Sequence, residues 1–176
     1  YHDHTSTMVW VKFPIVKASH PDLEGAAAVI WTTTPWTLPG NRAIAYGPDF
    51  DYVVLKTASG EKLLVATELV RSFVEVTKLE GYEIVARLRG EKLAGTLAAH
   101  PLRGQGYDFD VPLLPADFVT TDQGTGLVHI APGHGADDYE LGMKHGIEVP
   151  QTVAGDGTYY PYVPLFAGEA VYRQDG

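Results

Sequence analysis

Two stretches hold the residue types that could do chemistry. The first is Trp31-Thr32-Thr33-Thr34-Pro35-Trp36-Thr37-Leu38-Pro39-Gly40-Asn41. Thr32, Thr33 and Thr34 put three consecutive hydroxyls at the end of an apolar, β-prone run from Ala26 to Ile30. Pro35 then breaks the strand and frees backbone amides at the same point. Such a point suits a ligand with several hydrogen-bonding groups. A threonine-rich strand with tryptophan as core filler accounts for the same spacing. On a pleated strand Ile30, Thr32 and Thr34 share one side, and Val29, Trp31 and Thr33 share the other. The three hydroxyls are therefore not expected to do one job.

The second stretch runs from Gly124-Thr125-Gly126 through Leu127-Val128-His129-Ile130-Ala131 to Pro132-Gly133-His134-Gly135-Ala136-Asp137-Asp138. His129 alternates away from Val128 and Ile130, near the end of a short strand. Asp137 and Asp138 fall in the first turn of a following helix, where the helix dipole favours carboxylates by about 0.3–1 kcal/mol. Adjacent helical residues diverge by about 100°, so at most one aspartate is expected to face a pocket. Three chemistries compete. His129, His134 and Asp138 offer three N/O metal ligands, but the short His-Glu-x-x-His spacing is missing. A hydrolytic triad lacks its nucleophile, since there is no Gly-x-Ser-x-Gly and no cysteine. A binding site needs only an aspartate for an ammonium, a histidine wall, and glycine turns that let a ligand approach the backbone.

The elements that must position these residues are mostly short strands. Alternation predicts a strand over 8–16, and a second over 26–34 ending in the threonines. A short strand follows at 42–46, then a hairpin of 52–57 with 62–66. Thr67 is expected to cap a helix reaching about Val76, with Leu69, Val70, Phe73 and Val74 as its apolar stripe. A strand is expected over 83–88, a loop over 95–106, and an edge or extended segment over 107–114 because of Pro112 and Pro115. The strand 127–131 and a helix from Ala136 to about Lys144, stopped by Gly146, complete the second chemical stretch. The tail from Val153 reads as loops with short strands. The pattern predicts a mainly β fold, barrel or sandwich, with peripheral helices.

The chain has 176 residues, 45% of them apolar, which suits a single domain over 1–176 with a real core. No run of about 18 apolar residues occurs, so no membrane helix is expected. The polar start Tyr1-His2-Asp3-His4 lacks a signal-peptide core, and the missing initial Met and the end Gln174-Asp175-Gly176 fit a segment cut from a longer protein. Zero cysteines exclude disulfides and thiolate metal sites and fit a cytoplasmic setting. The net charge of −9 argues against a broad nucleic-acid surface, because neutralising phosphates takes clustered Lys and Arg. Only Arg87, Arg89 and Lys92 form a loose basic group. Any nucleic acid should be touched at a short end, or be held with affinity supplied by other domains.

Taken together, the two stretches resemble the editing domains inserted into isoleucyl-tRNA synthetases, class I aminoacyl-tRNA synthetases. The likeness also takes in Asn41-Arg42-Ala43, Pro48-Asp49-Phe50-Asp51-Tyr52 and Asp156-Gly157-Thr158-Tyr159. The related valyl and leucyl enzymes carry Thr-Thr-Arg-Pro at this threonine run and lack Trp36. The aminoacylation and ATP-binding signatures of the parent enzymes are absent from this stretch.

The resemblance implies a closed β-barrel and post-transfer editing: hydrolysis of valine wrongly esterified to isoleucine tRNA. Isoleucine and valine differ by one methylene, and one selective site separates them by only about 150-fold. A second, smaller sieve must admit valine, exclude isoleucine and cut the ester. The resemblance assigns catalysis to Thr32, Thr33, Thr34 and Asp138, with Asp138 holding the substrate α-ammonium. It assigns substrate binding to Trp36, Thr37, Asn41 and His129, with His129 lining the side-chain pocket. No residue is a convincing covalent nucleophile, so a positioned water is expected to attack. The implied partners are the 3′-terminal aminoacyl-adenosine of the tRNA, its valine moiety and the rest of the parent synthetase. No metal, cofactor or membrane is expected, and the domain is expected to be a monomer. Two other readings stay open: a binding module for the aminoacyl-adenosine end without catalysis, and a metal-dependent hydrolase.

Overall fold

The computed structural model describes residues 8–147, 149–154 and 156–170. The expectations about residues 1–4 and 174–176 lie outside them. Nine strands form one sheet: β1 Val9–Lys17, β2 Ala26–Thr32, β3 Ala43–Tyr46, β4 Asp51–Thr57, β5 Lys62–Ala66, β6 Tyr82–Arg89, β7 Leu97–Ala99, β8 Asp110–Pro115 and β9 Leu127–Ile130. Their order is β6-β4-β5-β2-β1-β7-β8-β3-β9. β1 pairs antiparallel with β2, with Trp10 opposite Trp31, and β4 with β5 as the expected hairpin. β2–β5 and β3–β8 are parallel.

The expectation of a closed barrel is wrong. The sheet coils around one core, but its end strands β6 and β9 do not pair with each other. The local causes are visible. β9 has four residues, cut short by the Gly124–Gly126 turn before it and Pro132 after it. β6 runs out into solvent, with Tyr82, Ile84 and Val85 exposed. β9 instead comes to lie against β2. The turn before β9 is tied to the end of β5 by Ala66 N–H donating to the Thr125 carbonyl at 2.8 Å. It is tied to β4 by Tyr52 O–H donating to the Gly126 carbonyl at 2.6 Å. Gly126 has φ +78°, and a Cβ there would sit 2.4 Å from Ala66 Cβ, so glycine is required.

The inner core gathers Phe13, Ile30, Tyr46, Tyr52, Leu64, Leu93 and Leu127. Two helices cover the outside. α1, Val70–Thr77, buries Val70 and Phe73 against Val29, Val53, Leu55 and Val65. α2, Ala136–Lys144, buries Leu141 against Ala43, Ala45 and Ile130. Thr67 does not cap α1: a 3-10 turn over Thr67–Leu69 precedes the helix, and the cap position has no side-chain bond.

Two further expectations change. The segment read as loop over 95–106 contains β7, three residues long and below what periodicity can register. β8 is an interior strand between β7 and β3, not an edge. Leu113 N–H points to β7, donating to the Thr96 carbonyl at 3.0 Å. By alternation the missing N–H of Pro112 faces β3, where pairing begins only at Leu113, so the proline breaks no ladder bond.

Candidate functional site

The threonine strand, the following turn and the β9–α2 junction enclose a cavity of about 190 Å³. Trp31, Thr32, Thr33, Thr34, Thr37, Val128, His129, Ala131, His134 and Asp138 line it. Six of the eight residues expected at the site therefore meet in one place. Trp36 and Asn41 do not line it. Trp36 lies in the 3-10 turn Pro35–Gly40, where its carbonyl accepts from Tyr159 O–H at 2.8 Å. Asn41 sits behind His129, fully buried.

The threonines divide as the pleat requires. Thr32 is buried and Thr34 half-buried on one side, their hydroxyl oxygens 3.3 Å apart, and Thr34 N–H donates to Thr32 Oγ1 at 3.0 Å. Thr33 is exposed at the rim.

His129 is held by a chain whose proton positions can be worked out. Asn41 Nδ2 carries two hydrogens: one goes to the Ala43 carbonyl at 3.0 Å, the other toward His129 Nδ1 at 2.7 Å. An amide offers no lone pair there, so Nδ1 must accept. The ring proton is then on Nε2, 2.8 Å from Thr37 Oγ1. Thr37 O–H has its own acceptor, the Thr34 carbonyl at 2.8 Å. The donors and acceptors of this chain fit together in one direction only, while the buried Asn41 Oδ1 has no partner among the described residues. Burial pushes the imidazole down to about 3, and nearby His100 and His134 push the same way. His129 is a neutral wall whose one available lone pair, on Nδ1, is taken by Asn41, so none is free for a proton or a metal.

Asp138 and Asp137 separate as helix geometry demands. Asp138 is half-buried at the cavity, its Oδ2 accepting from Ala131 N–H at 2.9 Å. Asp137 points to a different cleft beside Glu140 and Lys144. Burial raises the Asp138 carboxyl above its usual range, against a smaller lowering by the Ala131 N–H. A carboxylate held up in this way, without a cation among the described residues, favours a bound ammonium.

Four cavity residues, Trp31, Val128, Ala131 and His134, belong to the two stretches but are not assigned to the binding pocket by the sequence. Trp31 presents its ring edge to Gly124, 3.2 Å from where a Cβ would stand. His134 meets Thr152 Oγ1 through Nε2 at 2.8 Å and packs against Gly40. Val128 lines the cavity from β9 although its alternation with His129 suggested the opposite face. The buried His100 braces the turn from behind. Its Nδ1 accepts from Leu102 N–H at 3.1 Å, so Nε2–H donates to the Leu38 carbonyl at 2.8 Å. Nothing in the spacing of His100 pointed to that.

A mainly β fold with a small polar cavity, one half-buried carboxylate and a neutral histidine wall defines an editing-domain class. The family model described as leucyl-tRNA synthetase, editing domain, matches residues 10–172, and the chain belongs to that family. Within it the similar curated proteins are isoleucine–tRNA ligases, as the sequence resemblance implies. That of Gluconobacter oxydans is 53% identical over 98% of this chain, and that of Pelagibacter ubique 40% identical over 98%. The chain spans about a fifth of their length, 19% and 20%. Among solved structures, GlLeuRS-CP1 aligns with a TM-score of 0.71 at 15% identity, over 93% of this chain and 90% of that one. The Plasmodium knowlesi cytosolic leucyl-tRNA synthetase editing domain aligns with a TM-score of 0.63 at 13% identity, over 79% and 63%. These two likenesses speak to the fold.

Proposed function

We propose that the chain is a single editing unit, part of a longer synthetase, that hydrolyses the ester of valine mischarged onto isoleucine tRNA. The observation that supports this best is the convergence of Thr32, Thr34 and Asp138 on one cavity walled by His129. In this reading Asp138 takes the α-ammonium, while Thr32 and Thr34 hydrogen-bond near the ester and the terminal ribose. His129 limits the side chain, held in place by Thr37 and Asn41, and Trp36 acts through the turn it belongs to. The cavity is below the ~300–1,000 Å³ of sites that engulf a drug-sized ligand. It fits the aminoacyl end, with the adenosine lying toward the rim at Thr33.

A water oxygen attacks the ester carbonyl carbon, and the bond from that carbon to the ribose oxygen breaks. One water proton ends on the departing ribose oxygen, and the products are valine and an uncharged tRNA end. The gain comes from positioning and from donors aimed at the developing oxyanion. His129 has no free lone pair with which to take the water proton. No metal or cofactor takes part, and the reaction belongs in the cytosol.

The test is single-turnover deacylation of Val-tRNA and Ile-tRNA. Asp138→Ala should abolish valine release, and His129→Ala should open the sieve to isoleucine. Full activity of the Asp138 variant would sink the assignment.

A further inference from the structure

A second cleft of about 500 Å³ lies away from the cavity, lined by His20, Asp22, Asp51, Tyr52, Thr67, Arg87, Leu88, Arg89 and Lys92. Its charges sort by their partners. Arg89 Nη1 pairs with Asp51 at 3.3 Å, the two facing each other across the β4–β6 register. His20 Nδ1 pairs with Asp22 at 3.5 Å. Arg87 and Lys92 have no ion-pair partner among the described residues, and both are exposed. Asp51 is matched by Arg89, and with histidine counted neutral Arg87 and Lys92 outnumber the one remaining acid, Asp22, over an apolar floor of Tyr52 and Leu88.

This is unusual on a chain of net charge −9. The neighbouring cleft beside α2 shows the contrast, with Asp49, Asp117, Asp137 and Glu140 around one Lys144. The basic cleft is also tied to the turn that precedes β9. Tyr52, on its floor, and Ala66, next to Thr67, are hydrogen-bonded to the Gly126 and Thr125 carbonyls. That turn leads straight into β9 and His129.

We propose that Arg87 and Lys92 are a docking point for the phosphodiester backbone of the substrate RNA. The proposal rests on the editing reading and adds where the polyanion is held. Arg87 supplies a planar fork for phosphate oxygens, and Lys92 a compact point charge. Two such contacts release two sets of counterions when the RNA binds.

The experiment is the salt dependence of Val-tRNA deacylation by the full 176-residue chain. The slope of log kcat/KM against log salt is compared for the unaltered chain, Arg87→Ala/Lys92→Ala, and the charge-matched control Lys56→Ala/Lys144→Ala. The cleft variant should raise KM and flatten the slope by about 1.4–1.8, from about 0.7–0.9 per phosphate. It should hydrolyse valyl-adenosine, which has no RNA backbone, at the unaltered rate. An unaltered slope overturns the proposal, and so does equal flattening in the control, which would mean net charge alone. Hydrolysis of valyl-adenosine by the unaltered chain tests the editing reading by itself. Should that fail, the same slopes are read from tRNA binding by titration, with the same outcomes deciding.

Discussion

Replacing Thr37 by valine tests the hydrogen-bond chain that fixes the histidine wall. Valine keeps the shape but deletes one oxygen. That oxygen accepts from His129 Nε2–H at 2.8 Å and donates to the Thr34 carbonyl at 2.8 Å. Thr34 keeps its second bond, from Thr37 N–H at 3.0 Å. The imidazole N–H keeps nothing. A stranded buried donor costs about 1–3 kcal/mol, and the lost bond to Thr34 about 0.5–1.5 more. The sum, about 1.5–4.5 kcal/mol, should lower the melting temperature by about 3–18 °C at ~2–4 °C per kcal/mol. Thr37→Ser keeps the oxygen and loses one methyl, about 0.8 kcal/mol. Thermal melts of the three proteins measure this, and ¹⁵N shifts of His129 report which ring nitrogen carries the proton. Thr37→Val melting with the unaltered chain, or a proton on Nδ1 in the unaltered chain, would refute the reasoning.

Three other perturbations follow from the same geometry. Gly126→Ala puts a methyl 2.4 Å from Ala66 Cβ at φ +78°, and should destabilise by more than ~1 kcal/mol in a melt. Acid should destabilise the fold through His129. An unfolded histidine binds its proton near pH ~6.5, the folded one only near 3, so stability is present above the higher value and is lost as pH falls, by at most ~1.4 kcal/mol per unit. Urea titrations in that window that show no loss would contradict it. Asp138→Asn works in the opposite sense. The folded carboxyl is raised, so its stabilising share is present below the unfolded pKa and vanishes as pH rises through the folded one. The asparagine variant should melt higher than the unaltered chain at neutral pH, with the difference closing in acid, while deacylation is lost.

Local features were legible in the sequence wherever periodicity or rotation decides them. Strict alternation gave β1, the hairpin of β4 with β5, and the opposed faces of Thr32 and Thr33. The helical 100° step separated Asp138 from Asp137, and α2 runs from Ala136 to Lys144 as read. The failures are non-local. Whether a sheet closes depends on the pairing of its two end strands, β6 and β9, far apart in sequence, and no residue in either announces a missing partner. Pro112 reads as an edge signal because a lone sequence does not reveal on which side pairing starts late. Asn41 and Trp36 read as pocket residues because they share a motif with the threonines. The 3-10 turn over Pro35–Gly40 instead leaves Trp36 out of the cavity lining and sets Asn41, its C-cap, behind His129.

The unclosed sheet sets how this architecture can be enlarged. In a closed barrel an added strand changes diameter, tilt and stagger together, so every layer must repack. Here β6 already ends the sheet, and it is joined to the rest only through β4. Chain inserted beyond Tyr82–Arg89 can pair as a tenth strand without altering the curvature that sets Thr32 opposite His129. Size and site are thereby separable: the domain can be lengthened at the β6 margin while the cavity between Thr32 and His129 keeps its dimensions.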